Sequence, residues 1–243
     1  MTEPAAFDGL SERQLAELLG CPLVRIHASV PSTLDVAHEL GAAGAPHGTL
    51  VIADTQTAGR GRLGRAWSSP TGGLWMTLLV RPARAPLGGA LAVRAGLAAR
   101  AAVGRAAPEA APRLKWPNDV IVTDLKAGGV LCEACWTGQE LGWIAIGVGI
   151  NVRGPVPLEV RERAVALADV APHVTRIGVL EHLVPRLVAA ADGSAGLTAA
   201  EKAEFLAGCW MPPGDATPEG LADDGTLLLR HADGALERRV APA

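Results

Sequence analysis

The sequence predicts an α+β fold, a mixed and largely antiparallel sheet with helices packed on one side. Two observations carry that expectation. Strand-length apolar runs come in succession, with a meander of them over 113–150, and the longest helical patterns then follow as a block. A doubly wound sheet would alternate strand and helix throughout. With 243 residues, 49% of them apolar, the chain is long enough to bury one large core.

In order, a short amphipathic stretch over 10–19 carries leucines at 10, 15, 18 and 19. Residues 22–27 read as a strand. Ser32 and Thr33 follow Pro31 and lead into a helix over 34–40 with a hydroxyl N-cap, ended by Gly41 and Gly44. Strands follow at 49–54 and 74–80, the second stopped by Pro82. The Ala-rich stretch 87–105 has no interior proline and reads as a helix on the sheet. Residues 113–116 are extended before Pro117. With 120–122, 128–136, a turn at Gly138 and 141–150 they form the antiparallel meander. Residues 158–170 and 176–207 read as mostly helical, interrupted at Pro185, Gly193 and Gly196. After Trp210 the composition shifts to Pro, Gly and Asp, and 227–230 with 235–240 fit a hairpin around Asp233-Gly234. The expected division is a main unit over 1–210 and a small β segment over 211–243.

The net charge of −3 argues against a general nucleic-acid binder, which presents a basic face across a whole domain. The N-terminus carries acids rather than a basic leader with an apolar stretch. No apolar run reaches the ~18 residues that span a membrane. These features point to the cytoplasm. Cysteines stand at 21, 132, 135 and 209. Cys132 and Cys135 form a CxxC with no second pair and no His motif, a poor zinc site. They fall in an expected strand, where residues three apart face opposite sides, so buried reduced thiols are expected.

The densest chemistry lies in Gly59-Arg60-Gly61-Arg62-Leu63-Gly64-Arg65-Ala66-Trp67. Three guanidinium forks suited to phosphate or carboxylate oxygens share this segment with three glycines, which let a backbone approach an anion and a loop change shape. It reads as a mobile anion clamp or as a solvated basic turn. Lys115-Trp116-Pro117-Asn118-Asp119 sets a cation, an amide and a carboxylate at a strand end, or forms a plain turn. Lys126 precedes Gly128-Gly129 at a strand start, which suits an ammonium aimed into a cleft or a surface lysine beside a hairpin. Gly147 and Gly149 clear one face of a strand that ends in the amide of Asn151, or leave it weakly packed. No third glycine or following helix makes this a dinucleotide fingerprint. Ser32, Thr33 and Gln56 are neutral hydrogen-bonding groups suited to a ureido ring, with a helix cap as the simpler reading of Ser32.

Taken together and in order, these five segments resemble the catalytic domain of the biotin protein ligases, over roughly residues 22–210. The resemblance implies the class II aminoacyl-tRNA synthetase/biotin ligase-like form of the α+β fold, followed by a shortened SH3-like β segment. It implies two reactions. The biotin carboxylate attacks the α-phosphate of ATP and pyrophosphate leaves. A lysine of a biotin carboxyl carrier protein, usually an acetyl-CoA carboxylase subunit, then attacks biotinyl-5′-AMP and AMP leaves. Carried over by position, biotin falls to Ser32, Thr33, Gln56, Arg60, Gly61, Arg62, Lys126 and Gly129. ATP and the adenylate fall to Arg62, Arg65, Trp67, Lys115, Asn118, Asp119, Lys126 and Asn151. Lys126 and Arg62 take the catalytic roles, and Asp119 a weak contact to Mg²⁺ held mainly by ATP phosphates. The chain departs from the family at Leu34, where an asparagine is usual, and in its short C-terminal segment. The stretch before the first catalytic strand is too short for a DNA-binding helix-turn-helix, so DNA is not an expected partner. The family allows a monomer or a homodimer. A lipoate or octanoate ligase and a non-catalytic biotin or adenylate sensor are the alternatives.

Overall fold

The structure, a computed structural model, describes residues 6–160, 162–214 and 216–241. A short ladder of β1 (Ala6–Phe7) and β2 (Leu10–Ser11) leads into α1 (Glu12–Leu19). Ser11 and Gln14 close a capping box there, and Leu15 and Leu19 turn inward. Then come β3 (Val24–Val30), α2 (Thr33–Ala42), β4 (Thr49–Gln56), β5 (Leu74–Val80) and α3 (Ala90–Ala106). The meander consists of β6 (Arg113–Lys115), β7 (Asp119–Val122), β8 (Leu125–Thr137) and β9 (Glu140–Ile150). Helices α4 (Arg176–Ala191) and α5 (Ala199–Ala207) precede β10 (Cys209–Trp210), β11 (Ala216–Leu221), β12 (Leu227–His231) and β13 (Leu236–Arg239).

Strands β3 to β10 form one eight-stranded sheet in the order β10-β6-β7-β8-β9-β5-β4-β3. The two edge pairings, β10–β6 and β3–β4, are parallel and the inner ones antiparallel, which is the mixed, largely antiparallel sheet expected. Helices α3 and α4 pack on one face, where buried Ala95, Ala98, Ala99 and Ala102 of α3 join the main core. The short α2 lies over Val51 and Ala145, on the other face. Strands β11, β12 and β13 make a separate antiparallel sheet. Gly96 brings α3 under the meander: a Cβ there would lie 3.0 Å from the Pro117 carbonyl oxygen and 3.1 Å from Asn118 Cα.

Two expected helical features differ. Over 158–170 the described residues hold only short 3₁₀ turns at Leu158–Val160 and Leu167–Asp169. The backbone there bonds the ends of the sheet instead: Lys126 N–H donates to Arg163 O at 2.9 Å, Val165 N–H to Lys126 O at 3.0 Å, and Leu167 N–H to Asn151 O at 2.8 Å. Pro185 does not interrupt α4, which runs on to Ala191, and the break falls at Gly193 and Gly196.

Arg94 of α3 is 4% exposed. Its guanidinium meets Glu201 of α5 at 2.6 Å and the carbonyl oxygens of Ser194 and Gly196. Removing one member of a buried pair leaves the other charge uncompensated. Arg94→Met is expected to lower stability by about 3 kcal/mol, read from the shift in the urea midpoint.

Candidate active site

The residues singled out in the sequence line one cleft of about 850 Å³. Ser32, Thr33, Gln56, Arg60, Gly61, Arg62, Arg65, Trp67, Lys115, Asn118, Asp119, Lys126, Gly129 and Asn151 all reach it, as does Leu34.

One end is neutral and polar. Ser32 Oγ accepts the Leu34 N–H at 3.3 Å, so the helix cap is real, and Ser32 faces the cleft as well. Gln56 Oε1 accepts the Thr33 N–H at 2.8 Å and its hydroxyl at 3.1 Å, and Gln56 Nε2 donates to Ser69 Oγ at 2.7 Å. Thr77 of β5 donates to Thr33 Oγ1 at 2.9 Å. These bonds fix the α2 N-terminus against β4 and the root of the arginine loop.

The other end is cationic. Lys126 Nζ lies 2.6 Å from Asp119 Oδ1 and 5.0 Å from the centre of the Trp67 ring. Asp119 pairs with Gly129 across β7 and β8, and a Cβ on Gly129 would sit 3.2 Å from that carboxylate and 3.3 Å from Lys126 Cε. Arg62 Nη1 approaches Asn118 Oδ1 at 3.4 Å. Burial pulls its guanidinium below the ordinary value, partly opposed by Asp119. Asn118 is 4% exposed, and its amide donates to Val130 O. Lys115 stands over the Trp210 ring at 5.5 Å, and Trp210 donates to Asp124 at 2.7 Å. Trp116 donates its indole N–H to Gly225 O, in the turn before β12, at 2.9 Å. Arg65 is exposed on the rim. Asn151 follows β9 and donates to Val165 O at 3.3 Å.

Glycines make the floor. A Cβ on Gly149 would lie 2.7 Å from Trp67 Nε1, and one on Gly147 would lie 3.1 Å from the Leu34 side chain. Trp67 Nε1 is buried without a hydrogen-bond partner. The guanidinium of Arg60 turns to Glu133 and Asp35 and pulls the Glu133 carboxyl below the usual carboxylate range. Among the described residues no group of three His, Cys, Asp or Glu side chains is placed to hold a metal. Cys132 and Cys135 are free and half-buried rather than fully buried, and burial pushes the Cys132 thiol up to about 12.

The sequence reading missed Val156, Pro157, Val160 and Arg163 on one wall, and Trp210 and Asp124 near Lys115. The Gly154-Pro155-Val156-Pro157 run is the one local signal for a loop in the first group.

An α+β cleft that offers neutral polar groups at one end and guanidinium and ammonium groups at the other suits a ligand with a polar head and an anionic end. The model of the biotin/lipoate A/B protein ligase family matches residues 27–151, just over half of the chain, and the chain belongs to that family. It is similar to the bifunctional ligase/repressor BirA of Bacillus subtilis, 39% identical over 176 residues, which cover 69% of this chain and 53% of the relative. The biotin–[acetyl-CoA-carboxylase] ligase of Mycobacterium tuberculosis is 35% identical over 169 residues, 65% of this chain and 61% of the relative. The chain thus spans about half to three-fifths of the length of these relatives. Among solved structures, the biotin protein ligase of Aquifex aeolicus in complex with biotin and ATP superposes with a TM-score of 0.70 at 26% identity, over 90% of this chain and 95% of that one. The Leishmania major enzyme in complex with biotinyl-5-AMP gives 0.66 at 27% identity, over 90% and 99%.

Leu34 is 4% exposed and packs with Ala37, Val51 and Ala145. An asparagine at this position would bury an amide in this apolar cluster. Leu34→Asn is expected to cost about 2–4 kcal/mol of stability in a urea titration.

Proposed function

We propose that the chain is an ATP-dependent biotin protein ligase that forms biotinyl-5′-AMP and transfers biotin to a lysine of a biotin carboxyl carrier protein, in the cytoplasm. The observation that carries this reading is the two-ended cleft: Thr33 and Gln56 at one end, Lys126, Arg62 and Lys115 at the other. Membership of the family and the likeness to ligases with biotin, ATP or biotinyl-5-AMP bound support it. Among the described residues no helix is long and apolar enough to cross a membrane. We take 1–210 as the catalytic unit and 211–243 as its reduced β appendage.

A carboxylate and a triphosphate repel one another, so the first step needs cations that bring them together and hold the charge gathering on the α-phosphate. Lys126 and Arg62 take that work. The Lys126 ammonium sits beside Asp119 and against the face of Trp67, between the strand glycines and the loop. Arg62 bridges acid and phosphate from the loop, Arg65 serves the pyrophosphate side, and Lys115 with Asn118 faces the phosphates from β6 and the turn after it. Trp67 covers the adenine side, its indole N–H turned down onto Gly149, and Asn151 holds the adenylate. Ser32, Thr33 and Gln56 take the ureido ring, while Arg60, Gly61 and Gly129 shape the space beside it. Asp119 would be the carboxylate nearest a magnesium ion held mainly by the ATP phosphates, an ion that would neutralise part of their charge. The loop closing over the intermediate keeps water from the anhydride.

Biotin-dependent exchange of pyrophosphate into ATP tests the reading. Exchange with biotin and not with lipoate or octanoate is expected. Exchange with lipoate or octanoate alone would move the chain to the other branch of the family, and none with any acid would make it a sensor.

Lys126→Ala is expected to slow exchange by about 100- to 1000-fold while the thermal unfolding midpoint stays near wild type. Near-normal exchange would remove Lys126 from its role. Arg62→Gly is expected to release the adenylate, seen as biotin spread over bystander lysines of an unrelated protein in the same tube. Labelling confined to the carrier would count against Arg62 as the clasp.

A further inference from the structure

The root of the arginine loop is held from outside the cleft. Glu133 of β8 takes the Arg60 guanidinium in a two-point contact, 3.0 Å from Nε to Oε1 and 2.9 Å from Nη2 to Oε2. Asp35 of α2 takes the remaining arm, 2.6 Å from Nη1. Glu133 Oε2 also lies 2.9 Å from His38 Nε2, and the Trp143 indole N–H donates to His38 Nδ1 at 3.1 Å. Arg81 stacks over Trp143 at 5.5 Å. The Arg60 and Glu133 side chains are 31% and 29% exposed, so water competes only partly with this pairing.

The loop backbone matches that anchoring. Gly61 N–H donates to Arg65 O at 2.7 Å, Trp67 N–H donates to Gly59 O at 2.8 Å, and Arg60 bridges Ala66. Beyond this ladder a single 3₁₀ turn spans Arg62–Gly64, with Leu63 at φ 57° and 62% exposed.

We infer that Glu133 and Asp35 are positioning residues that latch the root of the loop through Arg60, leaving only its tip, Arg62 to Arg65, to rearrange over a ligand. What the tip covers rests on the ligase reading; the latch itself does not. Two-point arginine–carboxylate pairs are strong and directional. An anchored root also reduces the ordering entropy that closure costs, so the latch acts on ligand retention.

Trypsin reads the latch without any ligand, because each loop arginine must enter the protease pocket to be cut. In the wild-type chain cleavage is expected after Arg62 and Arg65 and not after Arg60. Glu133→Gln is expected to open cleavage after Arg60. It is also expected to raise the biotin KM about tenfold, the scale of one lost charged hydrogen bond, and to speed loss of the adenylate, with kcat for exchange within about twofold of wild type. A merely structural role would lower the melting temperature and the active fraction but leave the cleavage site and the KM unmoved. An Arg60 bond still spared in Glu133→Gln, together with a wild-type biotin KM, overturns the inference. Should Glu133→Gln fail to fold, Asp35→Asn carries the same two measurements, since that side chain is 47% exposed on the first turn of α2. A wild-type chain inert to biotin would overturn the ligase reading alone and leave the trypsin result to judge the latch.

Discussion

The register between β8 and β9 is the constraint on which the cleft depends. Gly129 faces Gly149 and Leu131 faces Gly147 across that pair, while β5 sets Trp75 and Thr77 against the same two glycines from the other side. Side chains alternate along a strand, so a slip of one residue would put Val148 where a glycine now lies. Leu34 fills the hollow over Gly147 and Trp67 the hollow over Gly149. The α2 N-terminus and the arginine loop therefore approach a floor that backbone pairing, rather than side-chain packing, has cleared.

The same floor solves an electrostatic problem. Arg62, Arg65, Lys115 and Lys126 gather in one cleft of a chain whose net charge is negative. Lys126 is matched by one carboxylate and one ring, and Lys115 lies over another ring. Ring faces attract cations by only about 0.5–2 kcal/mol, so a phosphate can compete for Lys115, whereas at Lys126 it must also compete with Asp119. Arg60 is the exception, with two carboxylates at its guanidinium. The loop thus holds one arginine that anchors and two near its tip.

Legibility followed the range of the interactions. The β5 bounds read from the apolar run and Pro82 match the strand, because a buried strand and its stop are local signals. Arginines, glycines and the Lys115–Asp119 segment were legible because their chemistry is concentrated in few consecutive residues. The partners of Arg60 were not, since Asp35 lies 25 residues away and Glu133 lies 73. The stretch 158–170 reads as helical, but long-range bonds from Arg163, Val165 and Leu167 to Lys126 and Asn151 claim its backbone. Strand β11 was not read from the sequence because Pro218 and Gly220 weaken a strand signal; it is an edge strand whose register shifts between those two residues.

Trp116 has a consequence for the chain beyond the cleft. Its indole N–H is answered by Gly225, in the turn before β12, and its neighbours Lys115 and Asn118 face the cleft. Half-buried against the second core cluster, that donor would lose its acceptor if the turn were cut away or shifted. The small sheet thus has a shortest permissible length. It cannot lose the loop that answers Trp116, so the far end of the sequence holds a vote on how the segment before Pro117 sits.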